Sequence, residues 1–414
     1  MSAPTALGRL RASVGLVLVA WLISRLLLVA WATGSLPYPD GSLVINDVKL
    51  YAEWSDLLVT GRFPVGDDMW QYPPAAGIVF ALAGILGPNP VAAFLGIALL
   101  ADLAILLLLV VAGRRRGVGL DAAWAWVIAG LLVGPVFVAR FDVLPTLFAV
   151  AGLVLLSRPL LAGASLSVGT LLKLWPVLLL IAIPRRALPP AIAGFAVATV
   201  LVLGAVLLWS DGAVAFLGEQ GSRGLQIESV GAWPFMVVNA LPVEVPTEFR
   251  YGSMEVDLPV TVPLGLVITV AGFAVIGAFA VLRLLGRLEG VAPCDVALAT
   301  LLVSLVTSRV LSPQYSVWVA GIAAVTFLDP ASRTRRAVWL LVPSVLVTQV
   351  IYPFGYGSFT EGSWWGVALQ SIRVLLLLAA TVIAVSVVVR GARRPATVSA
   401  SPPPQPSAAA ESGA

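Results

Sequence analysis

The sequence contains no histidine, a single cysteine (Cys294), and charge on only 11% of its residues. Without histidine, the commonest general base at neutral pH and the commonest metal ligand are both excluded. Proton chemistry must therefore fall to Asp, Glu, Lys or Tyr. A lone cysteine excludes an intrachain disulfide and leaves no thiol cluster for a metal. The scarcity of charge, with 59% hydrophobic residues and a mean hydropathy of +1.00, excludes an ordinary soluble fold. No ten-residue alternation of the kind membrane strands need is present. No internal repeat is visible either, which counts against the duplicated transporter folds.

What remains is a series of apolar runs of about 15–25 residues, which predicts an all-α polytopic membrane protein with roughly 10–12 transmembrane helices. Arg9 and Arg11 precede the first run, 14–33, and no small-residue cleavage site follows it. The expectation is an uncleaved first span with a cytoplasmic N-terminus. The interval 34–90 then becomes a first outer loop. Its apolar piece 75–86 is too short to cross and reads as an interfacial or re-entrant helix. The run 91–112 ends on Arg114-Arg115-Arg116 at the cytoplasmic side. Runs at 121–138 and 142–157 follow. The stretch 160–183 is broken at Lys173-Leu174-Trp175-Pro176 and reads as two short helices that dip in from the cytoplasmic side and return, with a full hairpin as the alternative. Spans at 188–209 and 259–283 flank a second outer loop, 210–258. Further spans are expected at 295–308, 313–328, 337–352 and 364–389. This scheme puts 16 of the 25 Lys and Arg residues on the cytoplasmic side, the asymmetry that fixes orientation. One membrane domain covers 1–394. The Pro-, Ser- and Ala-rich segment 395–414 is expected to be a disordered cytoplasmic tail.

The stretch with most chemistry runs from Asn46 to Pro74. Asn46 is a candidate N-cap. Asp47, Tyr51 and Trp54 then share one face of a short amphipathic helix. A carboxylate at a helix N-terminus is favoured in its ionised form, which suits a base. Arg140, Asp142 and Arg309 fall near the outer ends of spans, on the side of Asp47. Charges beside spans are functional candidates by default, and Arg25, Asp102, Lys173 and Arg373 belong to the same group. A basic cluster facing a carboxylate at the lipid boundary suits a lipid-phosphate substrate: cations hold the phosphate and the carboxylate takes a proton from an acceptor hydroxyl.

Asp47 with Tyr51 and Trp54, then Gly61, Phe63-Pro64 and Tyr72-Pro73-Pro74, resembles the first outer loop of the C-superfamily glycosyltransferases. More narrowly, the chain resembles glycosyltransferase family 87, the actinobacterial polyprenyl-phosphate-mannose-dependent alpha-mannosyltransferases. Arg140-Phe141-Asp142, Lys173-Leu174-Trp175-Pro176, the segment Arg223 to Ser229 and Ser308-Arg309-Val310-Leu311-Ser312-Pro313-Gln314-Tyr315 continue the resemblance. It implies a polyprenyl-phosphate sugar donor, a glycolipid or lipoglycan acceptor, and a bacterial plasma-membrane enzyme with its site on the extracytoplasmic face. It implies Asp47 as general base. Beside it, the residues themselves offer Arg140, Asp142, Lys173, Arg309, Gln314, Tyr315 and Tyr72 as candidates for donor phosphate and sugar, and Tyr51, Trp54, Arg223 and Glu228 for acceptor or sugar. Relatives with Asp-X-Asp or Glu-X-Asp bind a metal through it. Here the sequence reads Asn46-Asp47-Val48, so no metal and no other cofactor is expected. Nucleic acid is not an expected partner.

Plainer readings stand beside these. Asp47 also reads as an acid stabilising its own helix. Glu228 either meets sugar hydroxyls or pairs with Arg223. Lys173 either snorkels toward headgroups or holds the phosphate. Arg25 and Asp102 read as a structural pair, Asp67-Asp68 as a solvated turn, and Glu53 and Asp56 as water-facing. Trp54 and Trp233 are candidate sugar platforms. Arabinosyl or glucosyl transfer, and a lipid-sugar flippase, are the competing functions.

Overall fold

The computed structural model describes residues 13–213, 223–241 and 243–393. Arg9, Arg11, Gly221, Ser222 and the expected 395–414 tail lie outside the described residues. The order of elements is α1 (Val14–Ala32), α2 (Gly41–Leu58), α3 (Pro74–Ile85), α4 (Pro90–Arg115), α5 (Asp121–Val133) and α6 (Val143–Val154). Next come α7 (Pro159–Leu172), a 3-10 helix (Trp175–Ala182), α8 (Leu188–Trp209), β1 (Leu225–Gln226) and α9 (Trp233–Asn239). Then follow β2 (Thr247–Arg250), β3 (Ser253–Val256), α10 (Thr261–Leu284), α11 (Pro293–Val306) and α12 (Tyr315–Thr326). The chain closes with α13 (Arg335–Gln349), a π segment (Val350–Phe354), α14 (Tyr356–Thr360) and α15 (Trp364–Ala392).

Among the described residues, six helices are long and apolar enough to cross a membrane: α1, α4, α8, α10, α13 with its π extension, and α15. Six shorter apolar helices fill the spaces between them: α3, α5, α6, α7, α11 and α12. The exposed surface of α8 and α10 carries Val200, Leu201, Leu208, Val267, Val270 and Phe273. Such a surface suits hydrocarbon, where each helix satisfies its own backbone hydrogen bonds. The protein is a predominantly helical, multi-pass membrane protein of the all-α class.

The helix bearing Asp47 starts at Gly41, so Asn46 does not cap it. Its buried stripe, Val44, Val48, Tyr51, Ser55 and Leu58, extends a turn ahead of Asp47, and packing overrides the local capping preference. Asp47 sits in the second turn, beyond the reach of the helix dipole. The stripe packs on α3 and α4 through a cluster of rings: Tyr51, Trp54, Trp70, Tyr72, Phe80 and Phe94. As expected, 75–86 forms a short helix, and Glu53 and Asp56 are exposed.

The stretch 160–183 does break in two. Lys173 adopts an extended conformation (φ −160°, ψ 130°), and Pro176 lacks the N–H that a continuing α-helix needs. The first half is seated on α8 by glycines. A Cβ on Gly163 would lie 1.8 Å from the Ala191 carbonyl oxygen, and one on Gly194 would lie 2.0 Å from that of Leu160. Only a bare backbone allows this approach. The three strands form one antiparallel sheet in the order β1-β3-β2. Tyr251 (φ 51°) and Gly252 (φ 73°) make the tight turn between β2 and β3, the positive-φ pair that a two-residue hairpin favours.

Arg25 and Asp102 form the expected structural pair. The Arg25 Nε lies 2.8 Å from Asp102 Oδ2 and its Nη2 3.0 Å from Oδ1. Trp21 Nε1 (2.6 Å) and Trp126 Nε1 (2.7 Å) donate to the same carboxylate, so one acid ties α1, α4 and α5 together. Asp102→Ala strands a buried guanidinium and is expected to cost about 3–5 kcal/mol, whereas the apolar double replacement Arg25→Met/Asp102→Leu is expected to restore most of it. Thermal unfolding in detergent measures both. An unchanged midpoint for Asp102→Ala means that the pair contributes no stability.

Candidate active site

A cavity of about 690 Å³ opens between α2, the Lys173 break, the turn before α12 and the tip of the β2–β3 hairpin. Its wall includes Asp47, Lys173, Arg223 and Arg309. Four charged residues from four distant stretches of chain therefore converge on one space. Tyr51, Trp54, Tyr72, Gln314 and Tyr315 line it too. Its flank toward α10 is apolar, formed by Leu174, Leu178, Phe273 and Ile276. Leu174 and Phe273 are both exposed. The cavity thus combines a charged side with an apolar side.

Asp47 is the half-exposed member of an ion pair. Its Oδ2 lies 2.9 Å from Arg140 Nε, and Arg140 is buried. Arg140 also donates to the carbonyls of Val44 and Ala139 and to the Tyr352 hydroxyl. The expectation that Arg140 faces a substrate phosphate is not met by this geometry, because its guanidinium is occupied by the protein.

Lys173 reaches the cavity. Its Nζ lies 2.7 Å from Asp142 Oδ1 and within 5.8, 5.3 and 5.1 Å of the ring centres of Tyr72, Tyr315 and Trp318. It does not snorkel away. Asp142 is buried behind it and also accepts from Trp318 Nε1 at 2.7 Å. Asp142 is therefore the support of Lys173 and does not line the cavity. Trp318 stacks on both Tyr315 and Trp175, at 3.9 and 5.1 Å between ring centres. The rings keep water from the ammonium on one side and add cation–π attraction.

Arg309 donates from Nη1 to the Arg223 carbonyl at 2.7 Å. Among the described residues its Nε and Nη2 meet no acceptor. Its turn is held from behind, since Gln226 accepts from Leu311 N–H and donates its own N–H to the Arg309 carbonyl.

Arg223 forms the cavity roof. It bonds Glu255 (2.7 Å), Gln71 (2.8 Å) and Ser253 (2.7 Å). Gln71 in turn donates to the Tyr251 carbonyl at the hairpin tip, 3.1 Å away. Neither early expectation for Glu228 holds. It is buried away from the cavity and pairs with Arg373 at 2.8 Å, while Arg223 takes Glu255 instead. Burial pushes the Glu228 carboxyl upward, and Arg373 opposes that shift.

Tyr51 and Tyr72 share a hydroxyl–hydroxyl bond of 2.8 Å. Burial raises both phenols above their ordinary value, with the Asp47 charge adding to it, so both remain protonated donors and acceptors. Trp54 lies in the ring cluster with its Nε1 on Asp67 at 2.8 Å. Asp67 is thus a support for Trp54 more than a solvated turn, whereas Asp68 is exposed. Trp233 donates to Ser371 and is not part of the cavity wall.

Trp318 and the hairpin tip were not singled out from sequence, and Trp175 and Gln71 were read only as members of longer motifs, without a role of their own. Trp318 had a signal, since it stands one helical turn after Tyr315. The hairpin had none, because its place over the cavity depends on long-range pairing with Arg223 and Gln71. A metal of the relatives' kind does not fit: Ile45 and Lys49 stand two residues either side of Asp47, and its carboxylate already pairs with Arg140.

A helical membrane fold thus surrounds one cavity with a carboxylate, three cations and several polar side chains, an arrangement that suits a membrane enzyme acting on a polar, anionic substrate. The chain matches the sequence model of glycosyltransferase family 87 over residues 70–313 of 414 and belongs to that family. It is a glycosyltransferase. Lys173, Arg223 and Arg309 fall within the matched stretch, and Asp47 precedes it. No curated protein and no solved structure matches the chain.

Trp318→Phe keeps the ring stack and removes one donor from the buried Asp142. Losing a hydrogen bond to a charged group costs about 1.5–3 kcal/mol, so unfolding in detergent is expected to shift to lower temperature or denaturant. No shift means that Lys173 alone holds the carboxylate.

Proposed function

We propose that this glycosyltransferase moves a mannosyl group from polyprenyl-phosphate mannose to a hydroxyl of a cell-envelope glycolipid or lipoglycan, with inversion, at the extracytoplasmic membrane face. The observation that carries this reading is the shared cavity. Asp47 lines it together with Lys173 and Arg309, and an apolar flank leads out between the 3-10 helix and α10. A polyprenyl chain suits that flank, and a phosphate suits the two cations.

In this mechanism Lys173 and Arg309 bind the donor phosphate and stabilise the charge that develops on it as the glycosidic C–O bond breaks. The departing phosphate oxygen needs no proton, so one base suffices. Asp47 takes the proton of the acceptor hydroxyl while that oxygen attacks the anomeric carbon from the opposite face. The products are an alpha-mannoside, polyprenyl phosphate and a protonated Asp47, which returns its proton to water. Tyr51, Tyr72 and Gln314 provide hydrogen bonds to sugar hydroxyls, and Tyr315 offers a ring to the sugar. Nothing in the cavity selects mannose over arabinose or glucose by a named contact, so the mannosyl donor rests on the family resemblance.

Purified protein in nanodiscs, given polyprenyl-phosphate mannose and an envelope glycolipid extract, tests the proposal. Asp47→Asn is expected to lower kcat by about 10²–10⁴, the usual contribution of a general base. Lys173→Met and Arg309→Gln each remove a charge-assisted contact and are expected to raise the donor KM by roughly ten- to a hundredfold. Chelator is expected to change nothing. Full activity of Asp47→Asn removes Asp47 from the mechanism. Transfer only from arabinosyl or glucosyl donors overturns the mannosyl assignment, and donor movement across the bilayer without transfer overturns the reaction.

A further inference from the structure

We propose that Arg140 is a positioning residue for Asp47 and not a ligand of the donor phosphate. The proposal rests on the reading of Asp47 as the base and deepens it.

Asp47 stands in mid-helix, where it caps nothing, and no local backbone N–H holds its carboxylate. Left alone, its side chain would sample several rotamers. A base misplaced by an ångström loses much of its effect. Arg140 removes that freedom on one side by taking Oδ2 at 2.9 Å. Among the described residues Oδ1 meets no donor, and the carboxyl lines the cavity. One oxygen is thereby tethered while the other is left for a substrate proton.

The tether is itself fixed from three directions. Nη1 donates to Val44 on the helix that carries Asp47 and to Ala139 in the turn between α5 and α6. Nη2 donates to the Tyr352 hydroxyl at 3.0 Å, and that hydroxyl donates to the Leu43 carbonyl at 3.0 Å. Three guanidinium N–H bonds are committed to protein acceptors, the Nε edge is ion-paired with Asp47, and Arg140 is only 4% exposed against 38% for Asp47. A phosphate arriving in the cavity finds almost nothing left to bind. The planar fork of arginine is what meets acceptors in several directions at once, and a lysine ammonium has no equivalent geometry.

Donor and acceptor kinetics on Arg140→Gln, Arg140→Lys and Tyr352→Phe test the proposal, each beside Asp47→Asn. Arg140→Gln is expected to lower kcat about a hundredfold, with donor KM changed less than twofold. Arg140→Lys recovers part of this, because charge returns without the fork. Tyr352→Phe loosens one anchor at constant charge, and a fall in kcat of a few-fold is expected. Arg140→Gln combined with Asp47→Asn is expected to be no slower than Asp47→Asn alone, since the two act as a unit. A tenfold rise in donor KM with kcat preserved would return Arg140 to phosphate binding and sink the proposal. Wild-type kinetics for both Arg140→Lys and Tyr352→Phe overturn it as well. If Arg140→Gln does not fold, those two milder variants decide. Inactive Asp47→Asn beside fully active Arg140 variants defeats this inference alone, whereas active Asp47→Asn defeats the assignment of the base.

Discussion

Charge does not enter an apolar interior alone, because the cost of desolvating it has to be offset by a close partner. That constraint shapes this protein more than any other. Arg25 faces Asp102, Arg140 faces Asp47, Lys173 faces Asp142, Arg223 faces Glu255 and Arg373 faces Glu228. Every one of these pairs joins stretches at least thirty residues apart in sequence. In helices whose apolar surfaces resemble one another and the surrounding lipid, packing alone specifies little about which face meets which. The ion pairs add to that specification, beside the glycine-backed approach of α7 to α8. Three of the five sit on the cavity wall or directly behind it.

Much of the fold was legible because hydrophobic length is a strong signal. The break at Lys173-Leu174-Trp175-Pro176 was legible too, since a proline and a cation inside an apolar run leave few alternatives. Helix starts were less so. Asn46 looked like a cap, yet the helix begins at Gly41, because the apolar stripe from Val44 to Leu58 buries more than a cap returns. The convergence of Asp47, Lys173, Arg223 and Arg309 was only partly readable. The span pattern grouped Asp47 with Arg309 and the Arg223 loop, but it set Lys173 in a break dipping from the opposite side, and it did not give the partners. Glu228 and Arg223 are close in sequence and opposite in charge, and each takes a different partner across the fold. Proximity along the chain is a poor guide where tertiary pairing sets the geometry.

The pairs also sort the cavity's polar groups by availability. Arg223, with Glu255, Gln71 and Ser253 around it, is spent on the roof, and Arg140 on Asp47. Lys173 keeps protons beyond the one given to Asp142, and Arg309 keeps most of its fork. A group already satisfied by protein holds shape, and a group with bonds to spare meets substrate. The cations read from sequence as one cluster therefore divide into two kinds, and the division follows from hydrogen-bond accounting alone.

Charge counting carries that division into the proposed chemistry. The cavity and the groups directly behind it hold four cations, Lys173, Arg223, Arg309 and Arg140, against three carboxylates, Asp47, Asp142 and Glu255. One positive charge is left over. A lipid-phosphate sugar is a phosphodiester and carries one negative charge, so the loaded site is balanced. Transfer turns that diester into a monoester with close to two negative charges, and at the same moment Asp47 gains a proton and loses its own charge. The negative charge moves from the Asp47 side of the cavity to the Lys173 and Arg309 side, and the total does not change. In a low-dielectric setting this matters, because a step that created net charge would meet a far larger electrostatic penalty than one that relocates it. The fixed cations await the charge where it arrives, which is the preorganisation that lowers such a barrier. A site built this way has no use for a titrating general acid, and the absence of histidine from the chain is consistent with its chemistry.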